Sequence, residues 1–409
     1  MSSTSTSTAP SATPFSLRRI AVPAFGPSLL FGIGEGAILP VVPLTARDLG
    51  ASVPTAALIV TLIGVGSLVS NIPASLITMK RGERWAIVAA ALWSIAALAM
   101  CALTGHLGLF AAGAFMVGMS QAVYSLARQS YLTEAVPPEH RARALSTLGG
   151  SMRVGLFIGP FLAAAAIHRY GITAAYAVGI AALIAAALLG ARIPDLVHAP
   201  HASNAAAGDA PVAKPSLLGV VGEHKHLFYT LGIGVLLVSA VRTTRQAVIP
   251  LWADHLALAP SVAALIYGIA GGVEMLVFYP AGKVMDKKGR LWVAIPSLIT
   301  MGIPLLLMPF TTGSHTLLLA AAVVGFGNGM GSGLIMTLGA DHSPRHGRAH
   351  FLGVWRLMAD LGSTAGPALL SFMTASLTLG AAIGATGLLA FAAAAQLAYW
   401  IPRSPRSGH

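Results

Sequence analysis

Residues 54–79 read PTAALIVTLIGVGSLVSNIPASLITM, and residues 261–284 read SVAALIYGIAGGVEMLVFYPAGKV. Crossing a bilayer takes about 20 apolar residues in a helix. Both stretches are long enough, and the first carries no acidic or basic side chain. They also match each other. Ala56-Ala57-Leu58-Ile59 meets Ala263-Ala264-Leu265-Ile266, and Pro73 meets Pro280, at one offset of 207 residues.

The offset extends in both directions. Pro43 meets Pro250, Leu44 meets Leu251, Gly82 meets Gly289 and Trp85 meets Trp292. Further on, Glu134 meets Asp341, Pro137 meets Pro344 and Arg141 meets Arg348. Gly155, Gly159 and Pro160 meet Gly362, Gly366 and Pro367. So many coincidences at one spacing argue for duplication of a unit. Parallel six-helix repeats about an axis along the membrane normal are the architecture of one large transporter class.

Apolar runs occupy 20–45, 54–79, 85–104, 107–133, 144–167 and 172–193, then 227–252, 261–284, 291–311, 316–340, 351–374 and 379–401. The expected fold is therefore all-α and integral to the membrane, with twelve transmembrane helices in two pseudo-symmetric six-helix bundles. The first bundle is expected over 20–193 and the second over 227–401. Residues 194–226 are polar, Ala/Pro-rich and aperiodic, and read as a cytoplasmic linker. Residues 1–19 and 402–409 read as cytoplasmic tails, the first of them disordered. The first tail lacks the order of charge, short core and cleavage site of a signal peptide.

Composition agrees. The chain is 56% hydrophobic and 9% charged, whereas a soluble domain carries about 25% charged residues. That little charge cannot cover a water-facing surface, so most of the surface must face lipid. The 45 Gly and 25 Pro suit membrane helices, where small residues allow close packing. Cys101, the single cysteine, excludes an intramolecular disulfide and a multi-cysteine metal site, and reads as a buried, inert thiol.

The net charge of +12 is explained by its location. Cytoplasmic loops are rich in Lys and Arg. With the N-terminus inside, that side holds Arg18, Arg19, Lys80, Arg81, Arg84, Arg141, Arg143, Arg192, Lys214, Lys225, Lys283, Lys287, Lys288, Arg290, Arg345, Arg348, Arg403 and Arg406. The opposite side has only Arg47 and Arg169. This places both termini in the cytoplasm and removes nucleic acid as a partner.

These features resemble the major facilitator superfamily over nearly the whole chain after the first tail. Its loop signature, Gly then Asp-Arg/Lys then Gly-Arg, is similar to Gly282-Lys283-Val284-Met285-Asp286-Lys287-Lys288-Gly289-Arg290. The first-half copy, 75–84, has Met79 in place of the acid. The Gly-x-x-x-Gly-Pro core of the family's antiporter signature is present as Gly155, Gly159 and Pro160, and again as Gly362, Gly366 and Pro367. Ala163 and Ala164 stand where trailing glycines are usual, and Ala114 stands where the family's helix-four Arg is expected. The resemblance extends to the drug:proton antiporter group. It implies alternating access, with the first, fourth, seventh and tenth helices lining a central cavity.

Ionisable residues inside a membrane are functional by default. Glu35 lies mid-run between Gly34 and Gly36, where holding a charge is costly, and is a natural proton carrier. Arg242 occupies the repeat-equivalent position, at similar depth across the pseudo-two-fold axis, so the two could pair when the cavity closes. Arg245 lies one turn beyond and could also snorkel to the interface. Arg128 is a candidate contact for an anionic substrate, or a partner of Glu134 or of lipid phosphate. Arg153 and Glu274 are at matching depths in the fifth and eighth runs, so a pair across the two halves is expected. Arg356 and Asp360 are four apart and share a helix face. His342, His346 and His350 also recur at spacings of four, but Pro344 and Gly347 interrupt them, so no metal is expected. The alternating glycines from Gly325 to Gly333 follow no strand, so they read as helix packing and not a dinucleotide loop.

No nucleotide-binding loop, hydrolase triad or cofactor motif is present in the sequence, which points away from an ATP-driven pump and from an enzyme. A non-transporting sensor would be expected to carry an added domain, which this sequence lacks the features of. The expectation is a monomeric, proton-coupled exporter of small amphipathic or drug-like compounds in a bacterial-type plasma membrane. The alternative is a proton-coupled importer or exchanger of a small organic anion. Five embedded arginines against three acids favour the alternative if the arginines face the cavity.

Overall fold

Proline and glycine set where the helices of this chain begin, bend and stop. In the computed structural model, residues 17–136, 138–193, 217–344 and 348–404 are described. The first half comprises α1 (Leu17–Ile38), α2 (Val42–Asp48), α3 (Val53–Arg81), α4 (Glu83–Leu103), α5 (Leu107–Ala135), α6 (Pro138–Tyr170) and α7 (Ala174–Ala191). The short α8 (Leu217–Glu223) and α9 (Lys225–Leu227) lead through a π turn into α10 (Ile233–His255). Then come α11 (Pro260–Lys288), α12 (Leu291–Leu307), α13 (Ser314–Met330), α14 (Leu334–His342), α15 (Arg348–Ser376) and α16 (Leu379–Trp400). No strand occurs among the described residues.

The duplication is visible in the bounds. Val53–Arg81 and Pro260–Lys288 lie 207 residues apart at both ends. Gly82 and Gly289, repeat equivalents, have φ of 80° and 95°. This left-handed region costs a glycine nothing, and it turns the chain out of α3 and out of α11. Gly50 and its equivalent Ala257 are also left-handed, at φ 85° and 53°. The second copy thus keeps the turn although it has lost the glycine.

Eleven spans among the described residues are long and apolar enough to cross a membrane. The twelfth expected helix is α15, which at 29 residues has the length but carries Arg356 and Asp360 among its polar residues. Within the stretch expected as the linker, helix is present from Leu217 in α8, and 194–216 lie outside the described residues. So do 1–16 and 405–409 of the two expected tails.

Within each half, helices meet backbone to backbone. A Cβ on Gly118 of α5 would overlap the Ile63 carbonyl of α3, and a Cβ on its equivalent Gly325 would overlap the Ala270 carbonyl of α11. Gly155 and Gly159 press on the Leu29 and Ile33 carbonyls of α1. Gly362 and Gly366 press on the Leu236 and Ala240 carbonyls of α10. The glycine-proline motif therefore packs α6 on α1 and α15 on α10. Small residues permit such approach where lipid supplies no hydrophobic drive between helices.

The two bundles meet along α3 with α15 and along α6 with α11. Ser371 donates a hydrogen bond to the Pro54 carbonyl at 2.7 Å across the first seam. At the end of the bundle remote from the basic loops, Arg47 Nε donates to Asp254 Oδ2 at 3.0 Å. These two residues are themselves 207 apart, so the pair lies across the pseudo-two-fold axis. Reversing either charge alone should lower the melting temperature in detergent, whereas Arg47→Asp combined with Asp254→Arg should restore it. A double variant no better than the worse single one would show that the two groups do not act on each other.

Candidate functional site

A cavity of about 630 Å³ lies between α1, α3, α5 and α6 of the first half and α15 of the second. Its lining residues sit in the half of the bundle nearer the basic loops. Glu35 is in its wall, on the helix that Gly155 and Gly159 hold against α6. From α5, Gln121 lines the same wall as Glu35, and Arg128 lies within Coulombic reach of that carboxylate. The Arg128 guanidinium stands 5.9 Å from the centre of the Tyr124 ring. Tyr124 in turn stacks on Phe31, with centroids 3.8 Å apart and planes 6° from parallel. Both rings are buried, so the stack backs the wall behind one carboxylate and one guanidinium. Arg128 Nη1 is buried and has no hydrogen-bond partner among the described residues.

Across the cavity, Arg356 Nε approaches Asp360 Oδ2 at 3.8 Å within α15. The Asn71 amide of α3 donates to the same carboxylate at 3.5 Å. The remaining polar lining comes from hydroxyls and amides such as Ser67, Ser125 and Gln129. No spacing rule singles out an Asn, Gln or Ser, so these residues were not legible as site residues. Tyr124 and Phe31 read as ordinary apolar positions.

Three expectations meet the structure. First, Glu35 and Arg242 have separate partners in this conformation, with the cavity open. Arg242 donates from Nε to Asn328 Oδ1 at 2.7 Å and from Nη1 to the Gly331 carbonyl at 2.8 Å. The break between α13 and α14 exposes that carbonyl and captures the guanidinium. Second, Glu274 pairs with Arg245 and not with Arg153. The Arg245 Nη2 to Glu274 Oε2 distance is 2.6 Å, with the side chains 14% and 19% exposed. Arg153 instead lies over the Phe278 ring, 3.9 Å from its centre. Matching depth was a correct clue, but α10 and α11 are neighbours within one half, which brings Arg245 to Glu274. Third, the main cavity is lined by α3, α6 and α15 beside α1 and α5, and not by α10 and α13.

The loop signature does local work. Arg290 reaches Asp341 through Nε at 2.8 Å and Nη2 at 3.0 Å, and the Met285 carbonyl through Nη1 at 3.1 Å. This bidentate pair holds the turn after α11 to the end of α14. Asp286 is 78% exposed and 4.0 Å from Arg290. Lys287 is exposed beside it. In the first half, Glu83 stands where Arg290 stands, and it accepts a hydrogen bond from Ser130 at 3.0 Å. Of the spaced histidines, His342 is buried with Nδ1 2.9 Å from the Leu338 carbonyl, and His346 lies outside the described residues. Cys101 is buried and close to the Phe110 carbonyl.

Two helical bundles enclosing a cavity in a multi-pass membrane chain define a membrane transporter that works by alternating access. The profile of the Major Facilitator Superfamily matches residues 27–367 and, in a second placement, 231–409. The chain belongs to this superfamily, which carries small molecules by secondary-active transport and is not a family of enzymes. The MFS-type transporter YhjO of Bacillus subtilis (strain 168) is 23% identical over 325 residues, 78% of each chain. Among solved structures, a bacterial homolog of the human lysosomal transporter Spinster superposes with a TM-score of 0.74 at 16% identity, over 94% of this chain and 97% of that one. The nucleoside transporter NupG superposes with a TM-score of 0.72 at 15% identity, over 93% and 99%. At such identities the likeness is one of fold.

The Arg245–Glu274 pair gives a stability prediction. Removing one partner of a buried ion pair leaves an uncompensated charge and costs about 3–5 kcal/mol. Glu274→Gln should therefore lower the melting temperature or the folded yield sharply. Arg245→Gln with Glu274→Gln should recover much of the loss. Equal stability of Glu274→Gln and the native chain would show that the carboxylate is not needed there.

Proposed function

We propose that the chain exports small amphipathic compounds across the plasma membrane as a monomer, driven by protons entering through Glu35. The observation that carries this reading is the Glu35 carboxylate on α1 in the wall of the main cavity, within Coulombic reach of Arg128, while the second carboxylate of the lining, Asp360, lies beside Arg356. Charged, Glu35 attracts Arg128 or a cationic substrate. Protonated, it releases that partner and loses the cost of a buried charge. The two protonation states then favour different positions of the two halves, as coupling requires. Leu126, Val354 and Leu357 in the lining supply apolar contact for the body of an amphipathic substrate. The Gly155-x-x-x-Gly159-Pro160 core, shared with the antiporter signature, supports the export direction. With the basic loops in the cytoplasm, the cavity of this conformation is placed to load from that side.

A second reading, proton-coupled movement of a small organic anion, is favoured by Arg128. Its buried Nη1 has no partner among the described residues, and an anionic substrate would supply one.

Glu35→Gln keeps the shape and removes the titration. In sealed vesicles with an imposed pH gradient, accumulation should fall to the level seen without a gradient, at unchanged expression. Energy-independent exchange should persist. Full gradient-driven accumulation in this variant would rule out Glu35 as the coupling group and transfer attention to Asp360.

A further inference from the structure

On the opposite seam from the main cavity, α1, α6, α10 and α11 enclose a smaller one of about 100 Å³. Arg153 reaches it from the first half, and Arg245 and Glu274 reach it from the second. Arg242 adjoins the same group, within Coulombic reach of Arg153, Arg245 and Glu274. Three guanidiniums thus share one carboxylate, which leaves two positive charges in excess in the membrane interior. Guanidiniums there are retained where something anionic meets them. Arg242 is satisfied by neutral acceptors, Asn328 and a carbonyl, so its charge is not cancelled. Arg245 gives Nη2 to Glu274, but its Nη1 is buried and finds no partner among the described residues. Arg153 Nη1 is in the same condition. Phe278 covers one face of the Arg153 guanidinium, so what remains free is the in-plane N–H edge, the edge that forks onto a carboxylate.

We propose that this small cavity binds the carboxylate head of an organic anion between Arg153 and Arg245. Its volume admits such a head and not a whole drug-sized molecule. The bound group would accept the two orphaned N–H groups and cancel one of the excess charges. Because Arg153 belongs to the first half and Arg245 to the second, the anion would also tie the halves together on that seam. The inference deepens the organic-anion reading by giving it a site away from Arg128, and it is independent of Glu35.

The test uses the purified full-length chain in detergent, with thermal unfolding followed at equal concentrations of sodium benzoate, benzamide and sodium chloride. Benzoate should raise the melting temperature saturably, while uncharged benzamide and chloride should not. Arg153→Gln should abolish the benzoate shift. Gly271→Leu is a second variant that blocks the cavity without removing charge, since a Cβ at Gly271 meets nothing within 4 Å and the residue lines this space. It too should lose the shift. Glu35→Gln should keep it, whether or not Glu35 couples protons. Equal shifts with benzamide or chloride would overturn the proposal. So would a full benzoate shift in Arg153→Gln or Gly271→Leu. A shift lost only in Arg128→Gln would also overturn it, placing the anion in the main cavity instead.

Discussion

Helices in a lipid environment gain nothing by hiding apolar surface from one another, so their association rests on how closely their backbones can approach. In this chain that approach is set by glycines facing carbonyls. Gly118 lies on Ile63, Gly325 on Ala270, Gly155 on Leu29 and Gly362 on Leu236. Each contact would be destroyed by a single Cβ. The functional geometry depends on them. Glu35 stands on the helix that Gly155 and Gly159 pin against α6, and Gly118 holds α5, with Gln121, Tyr124 and Arg128, against α3. Glycines are costly in helices that water must stabilise. Here they are what allows a helix pair to become a rigid unit.

The duplicated scaffold has been charged asymmetrically. At four pairs of equivalent positions the two halves carry opposite signs: Glu35 and Arg242, Arg47 and Asp254, Glu83 and Arg290, and Arg153 and Asp360. Near a pseudo-two-fold axis, equivalent residues face each other, so identical charges would repel. Opposite charges turn the same geometry into an attraction, and Arg47 with Asp254 realises it. The other three pairs have separate partners, Arg153 lying over Phe278 and Asp360 beside Arg356. Arg242 is held by Asn328 and Gly331, while Arg290 is held by Asp341. One fold thus carries two unlike polar interiors, one nearly balanced around Glu35 and one with excess positive charge around Glu274.

Much of the architecture was legible without coordinates. Hydropathy periodicity and the 207-residue offset determine the number of helices, their order and their pairing into two bundles. Both signals are carried by long runs of residues, and lipid leaves helices few alternatives. The i, i+4 spacing of Arg356 and Asp360 likewise fixed a shared face, because that relation is local to one helix. The depth of each embedded charge along its helix could also be read, which is why Glu35, Arg153, Arg245 and Glu274 stood out as candidates.

Tertiary structure alone decided which of those charges meet. Depth along a helix leaves rotation about its axis free, and only packing against neighbours sets it. Arg245 therefore took Glu274 from Arg153, and the helix break at Gly331 took Arg242 from Glu35. The neutral cavity residues, Asn71, Gln121 and the Phe31–Tyr124 stack, were invisible for a related reason. An amide or an aromatic ring is affordable anywhere in such a helix, so its presence marks no position. By itself the sequence determined a membrane-spanning, duplicated chain and the depth of its charges. The packing of glycine against carbonyl determined their partners, because it fixes which face of each helix looks into the cavity.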